Sequence, residues 1–204
     1  MYSVTGDDGV SSDISRWLRV HQNAESRVDS IIWSGKDLHG SIDLQWVPPM
    51  VKVFNLGSNS LSGTIDLTVL PDTIEVLKLN HNTLSGSINL EHLPKALRRI
   101  YLIYNQFSGS IDITKLPSNL RLLSVAENQL SGPIDLTQLP ESIEELYLYQ
   151  NRFHGITDFS SLPESLKFLN VSDTQLTGQA KNRKKHESHH QRLERPSYLN
   201  EYKK

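Results

Sequence analysis

LRRIYLIYNQFSGSIDITKLPSN, residues Leu97 to Asn119, carries the pattern L-x-x-L-x-L-x-x-N-x-L-S-G-x-I-D-L-x-x-L-P-x-x, and the same pattern runs before and after it. Full blocks begin at Val28, Val51, Ile74, Leu97, Leu120 and Ile143, and a seventh begins at Leu166 and stops at Gly178. A fixed period near 23 residues is the signature of a solenoid, in which each unit buries its apolar face only against its neighbours. The chain therefore divides into a disordered start with an N-terminal helical cap at 1–27, a solenoid at 28–178 and a basic, flexible tail at 179–204.

Within one block the L-x-x-L-x-L part alternates apolar and variable residues, as a short strand with one buried face does. Leu97, Ile100, Leu102 and Phe107 point inward, and Arg99, Tyr101 and Ile103 outward. Stacking these strands gives a parallel sheet whose outward face is concave. Asn59, Asn82, Asn105, Asn128 and Asn151 close each strand. An amide there donates to and accepts from backbone groups that the turn leaves unpaired. The Ser-Gly pair that follows permits a bend, and I-D-L reads as a second short strand with Ile65 and Leu67 inward and Asp66 outward. Leu-Pro then blocks a long helix, so the convex side is expected to be mostly non-helical. Ahead of the blocks, Ile14, Trp17, Leu18 and His21 recur at helical spacing after Ser11, Ser12 and Asp13. They predict a short amphipathic helix over the open end of the core, with Trp17 and Trp46 in that cap.

The L-x-x-L-x-L-x-x-N-x-L core resembles that of leucine-rich repeat proteins. N-x-L-S-G-x-I is similar to the plant-type subclass, L-P-x-S-L-E-x-L resembles bacterial LPX repeats, and the combined S-G-x-I-D-L-T-x-L-P form is similar to protozoan leucine-rich repeat proteins, some of them surface antigens. The resemblance covers roughly Val28 to Gly178. It implies an α/β repeat fold, a right-handed solenoid with a parallel concave sheet, and non-enzymatic binding of a ligand or protein on that face. The opening RVDSIIWSGKDLHGSI also resembles the start of plant-type extracellular repeats, without the cysteines of that secreted cap.

Composition narrows the alternatives. With 37% hydrophobic and 22% charged residues the chain is of ordinary globular make-up. It has no cysteine, which rules out disulfides, thiolate metal sites and a cysteine nucleophile. MYSVTGDDGVSSDIS has neither a basic n-region nor an apolar h-region, and no run is long enough to span a bilayer; a cytoplasmic protein is the expectation, or a surface or secreted one if a signal peptide is missing from this chain. The segment after Ala180 holds 8 of the 21 Lys and Arg but 3 of the 23 Asp and Glu, a net +5 that leaves −7 for the rest. A nucleic-acid or anionic-membrane partner for the tail is accordingly a rival reading.

Three ladders and one motif bear on chemistry. Asp43, Asp66, Asn89, Asp112, Asp135 and Asp158 form a column that reads as a series of Asx turns, with a cation site as the alternative. Asp29, Lys52, Glu75, Arg98, Arg121, Glu144 and Lys167 alternate in sign, except for Arg98 beside Arg121; this is a register-fixing ladder. HESHH at His186 to His190 fits the H-E-x-x-H zinc-protease motif, but KNRKK and QRLER give its helix no apolar face to bury, so no catalytic residue, metal or cofactor is assigned. The outward residues supply the site. Arg99, Tyr101, Ile103 and Tyr104 on one block and Glu145, Tyr147 and Tyr149 on another flank the small Ser124 and Ala126, with Glu127. Strands about 4.8 Å apart would make a slot with aromatic walls roughly 10 Å apart. Lys78, His81 and Arg99 on one side, and Glu127 and Glu145 on the other, would orient a protein or peptide ligand.

Overall fold

A computed structural model describes residues 19–178. Fifteen strands alternate between two sheets. The larger takes β1 (Val20–Gln22), β2 (Val28–Ile32), β4 (Val53–Asn55), β6 (Val76–Lys78), β8 (Arg99–Tyr101), β10 (Leu122–Ser124), β12 (Glu145–Tyr147) and β14 (Phe168–Asn170), in that spatial order. The smaller takes β3 (His39–Gly40), β5 (Ser60–Gly63), β7 (Thr83–Gly86), β9 (Gln106–Gly109), β11 (Gln129–Gly132), β13 (Arg152–Ile156) and β15 (Gln175–Thr177). Pairing is parallel throughout except for β1 on β2. The molecule is a β-solenoid of about six turns.

Register follows from the repeat. In the larger sheet Val53 pairs with Val76, Val76 with Arg99, Arg99 with Leu122 and Leu122 with Glu145, so each residue meets its equivalent one block on; in the smaller sheet the register is set back by two, with Ser62 opposite Thr83 and Ser131 opposite Arg152. The apolar positions therefore stack into one continuous core running from Ile31 to Phe153, with Phe54, Leu77, Ile100, Leu123 and Leu146 at 0% exposure. Each such side chain contributes roughly 1.5–3 kcal/mol by leaving water. The asparagines act as read from the sequence. Asn105 Nδ2 donates to the carbonyls of Leu79 (3.0 Å) and Leu102 (3.1 Å), and its Oδ1 accepts from the Leu84 N–H (3.0 Å). Asn59, Asn82, Asn128 and Asn151 repeat the scheme.

Three expectations are corrected. The α component is absent: among the described residues there is no α-helix, only the 3₁₀ turns Leu44–Trp46 and Leu67–Val69. Only three residues separate the Asp cap from the Leu-Pro pair, too few for an α-helix. The second strand of each turn lies on S-L-S-G rather than on I-D-L; in β5 it is Leu61 that points inward, while Ile65 and Leu67 are buried without forming a strand. Finally, His21 belongs to β1, which runs antiparallel to β2 with Val20 opposite Ile31; the rest of the expected helix, Trp17 included, lies outside the described residues. Trp46 does pack at that end, stacked on Trp33 at 5.9 Å and edge-on to Phe54 at 5.6 Å. No helix among the described residues is long and apolar enough to cross a membrane.

Candidate functional site

Alternation along each strand of the larger sheet sends one residue into the core and the next to the opposite, outer face. On that outer face a second apolar cluster forms from Tyr101, Ile103, Leu122, Ala126 and Tyr147, with Val76, Tyr104 and Tyr149 packed against it. Strand register places Ser124 directly between Tyr101 and Tyr147. The expected open slot is closed. Ser124, Ala126 and Ile103 have 0% exposure, Tyr147 5% and Tyr101 8%. Tyr101 and Tyr147 pack in one cluster with Ala126, which leaves the small residues between them without exposed surface.

The charged residues named from the sequence pair largely within this face. Lys78 Nζ stands 5.1 Å from the centre of the Tyr101 ring, a cation–π contact. Tyr147 donates its hydroxyl proton to Glu145 at 2.8 Å. With its amide turned over, Gln150 would donate from its nitrogen to both Glu127 oxygens at 3.2 Å. His81 stacks on Tyr104 with ring centres 4.2 Å apart and planes at 19°. Burial pushes the His81 imidazole below its ordinary pKa, against the attraction of Glu127. The basic members, Lys78, His81 and Arg99, thus lie on the β6–β8 side, and Glu127 and Glu145 on the β10–β12 side.

Just beyond the strands the backbone forms a ridge. Ser58, His81, Tyr104, Glu127, Gln150 and Asp173 all have φ between 51° and 58°. A non-glycine residue in this left-handed region costs roughly 1–2 kcal/mol, so the conformation is imposed. The N–H of each from Ser58 to Gln150 is tied to the next turn, as His81 N to Ile103 O at 3.0 Å and Glu127 N to Tyr149 O at 3.0 Å. His81 and Tyr104 stay half-buried here, as does Tyr149 beside Gln150, which makes the ridge and its edge, rather than the slot floor, the accessible part of the site. Its sequence signal is faint: Gly35 occupies the ridge position in the first block, also at positive φ.

Elsewhere the aspartate column is structural. Each aspartate of the column, and Asn89, accepts from the N–H two residues on at 2.7–2.9 Å. The hydroxyls of Thr68 and Thr114 first, and then those backbone bonds, hold the Asp66 and Asp112 carboxyls below their ordinary pKa. Among the described residues no group of three or more His, Cys, Asp or Glu is placed to hold a metal ion. HESHH and the basic tail lie outside the described residues.

No protein-family model and no curated protein matches the chain. Among solved structures, a plant ice-binding protein is similar over 69% of this chain and 47% of its own, at 25% identity and a TM-score of 0.55; this chain thus spans less than half of that protein. A plant peptide hormone receptor, RGFR1 in complex with RGF2, aligns over 73% of this chain and 28% of its own, at 23% identity and a TM-score of 0.48.

Proposed function

We propose that the protein is a right-handed solenoid of the leucine-rich repeat class whose non-enzymatic role is to bind a protein or peptide on the concave, outer face of its larger sheet. The observation that carries this reading is the second apolar cluster. The solenoid core is complete without it, yet the outer face between β8 and β12 gathers four tyrosines, Tyr101, Tyr104, Tyr147 and Tyr149, with Ile103 and Leu122. Tyrosine is enriched among residues that dominate interfaces, and a preformed, tightly packed platform loses little side-chain entropy on binding. Tyr101 and Tyr147 brace the platform; Tyr104, Tyr149 and His81 touch the partner. Affinity capture with the full chain and with Tyr104→Ala/Tyr149→Ala tests the reading. Retained fold with a loss of about 2 kcal/mol or more, roughly thirtyfold in Kd, is expected; full capture by the folded double variant would remove the site.

A second reading rests on the likeness in fold to an ice-binding protein. The smaller sheet carries a hydroxyl row, Ser62, Ser85, Ser108 and Ser131, in parallel strands, and a second row, Thr64, Ser87 and Ser110, just past the strand ends. His39, His154, Pro133 and Ile156 interrupt these rows, which weakens it. Ice recrystallisation unaffected by the protein would dispose of it.

A further inference from the structure

The charge ladder at the start of the larger sheet's strands has one fault. Glu75 is shared by Lys52 at 3.9 Å and Arg98 at 3.7 Å, and Glu144 by Arg121 at 3.3 Å and Lys167 at 2.7 Å. Arg98 and Arg121 therefore stand side by side, locked by the Arg121 N to Arg98 O hydrogen bond of 2.8 Å. Like charges directly across a pair of strands destabilise it, and these two side chains are 57% and 55% exposed. Arg99, exposed on the neighbouring position, adds a third guanidinium. The adjacent carboxylates are already engaged: Glu144 is held below its ordinary pKa first by its bond to Lys167 and then by the charges of Lys167, Arg121 and Arg99, and Glu145 accepts from Tyr147. Along this rim the four cations Lys52, Arg98, Arg121 and Lys167 face the three carboxylates Asp29, Glu75 and Glu144, and the next position adds Arg99 and Glu145, so the cations adjoin one another only at Arg98, Arg99 and Arg121, on a body whose sequence outside the tail carries −7.

We infer that Arg98, Arg99 and Arg121 form a docking site for an acidic polypeptide segment of the partner, laid across the strands at the rim of the binding face. The inference rests on the protein-binding reading and specifies the partner's chemistry. Guanidinium forks donate bidentately to carboxylates, and neighbouring strands set them about 4.8 Å apart. An extended segment offers same-side carboxylates about 6.7 Å apart, so two or three acidic residues fit the patch. The acidic body repels a long polyanion everywhere else, which favours a short acidic segment over nucleic acid and steers it to the rim.

The test is fluorescence anisotropy of a short fluorescein-labelled peptide of alternating glutamate and glycine against the full chain at low ionic strength. R98Q/R99Q/R121Q should bind at least about tenfold more weakly than a tail variant with the same charge loss, K181Q/K184Q/K185Q. E144Q, which removes the competing carboxylate, should bind more tightly than the parent. Parent-like binding by the rim variant, or unchanged or weaker binding by E144Q, would overturn the inference. So would tighter rim-dependent binding of a single-stranded oligonucleotide or of phosphatidylserine vesicles. Capture lost only in Tyr104→Ala/Tyr149→Ala would leave the protein-binding reading standing alone, and peptide binding lost only in the rim variant would leave the rim standing without that ridge.

Discussion

His81 joins a strained backbone to a titratable ring. Its φ of 53° is imposed by the hydrogen bond from its N–H to the next turn, and its ring is half-buried against Tyr104. Because burial lowers its pKa, the folded state binds its proton less readily than the unfolded chain does. The stabilisation is present above the ordinary value of 6.5 and is lost as pH falls from there through the lower folded value. Asparagine tolerates the left-handed region and does not titrate, so His81→Asn should flatten the fall in melting temperature over that window. Equal slopes for parent and variant would show that the ring's environment does not distinguish its charge states. Residue-scale features of this kind divide sharply in legibility. The hydrogen bonds of Asn105 follow from its place at a strand end, because the unpaired groups there are fixed by the backbone. The closure of the slot over Ser124 depends on which way Tyr101 and Tyr147 lean, and a sequence records side-chain size without recording direction.

At the scale of one turn of chain, the short connection from the smaller sheet back to the larger is governed by the aspartate. Asp112 Oδ1 accepts from the Thr114 N–H at 2.8 Å and from the Thr114 hydroxyl at 2.6 Å. This directs the backbone tightly into the Leu116-Pro117 corner. Both bonds favour the carboxylate, so the stabilisation exists above the ordinary pKa of 3.8 and disappears as pH falls through the lower folded value. Asp112→Ala should lower the urea midpoint at neutral pH and converge with the parent in acid; a constant difference at all pH values would assign the effect to backbone propensity alone. The turn was legible because Asp-x-Thr has a local mechanism. The strand before it was not, since S-L-S-G offers one apolar residue among polar ones, which a loop shows equally well. Only stacking on equivalent segments makes β5, β7 and β9 a sheet. The cap misled for a related reason: the helical spacing ending at His21 is a local signal, and pairing with the edge of β2 outweighed it at Val20–Gln22.

Across the whole molecule, stability is close to a sum over turns and the contacts between neighbours. The central strand β10 is paired on both sides, by β8 and β12, and Leu123 beneath it has 0% exposure. Among the described residues β14 is paired only by β12 and β15 only by β13. There Leu169 and Leu176 are half-buried, and Phe168 reaches 53% exposure. The same substitution should therefore cost different amounts at equivalent positions. Leu123→Ala opens a cavity between two turns and is expected to cost about 2–5 kcal/mol. Leu169→Ala removes a contact made on one side and is expected to cost less than about half of that. Amide exchange should follow the same gradient, with the amides of β8 and β10 opening only in global unfolding and those of β14 and β15 exchanging through local fraying. Equal costs at Leu123 and Leu169, together with equally slow exchange in β10 and β14, would mean that something covers the last turn as completely as the neighbouring turns cover β10.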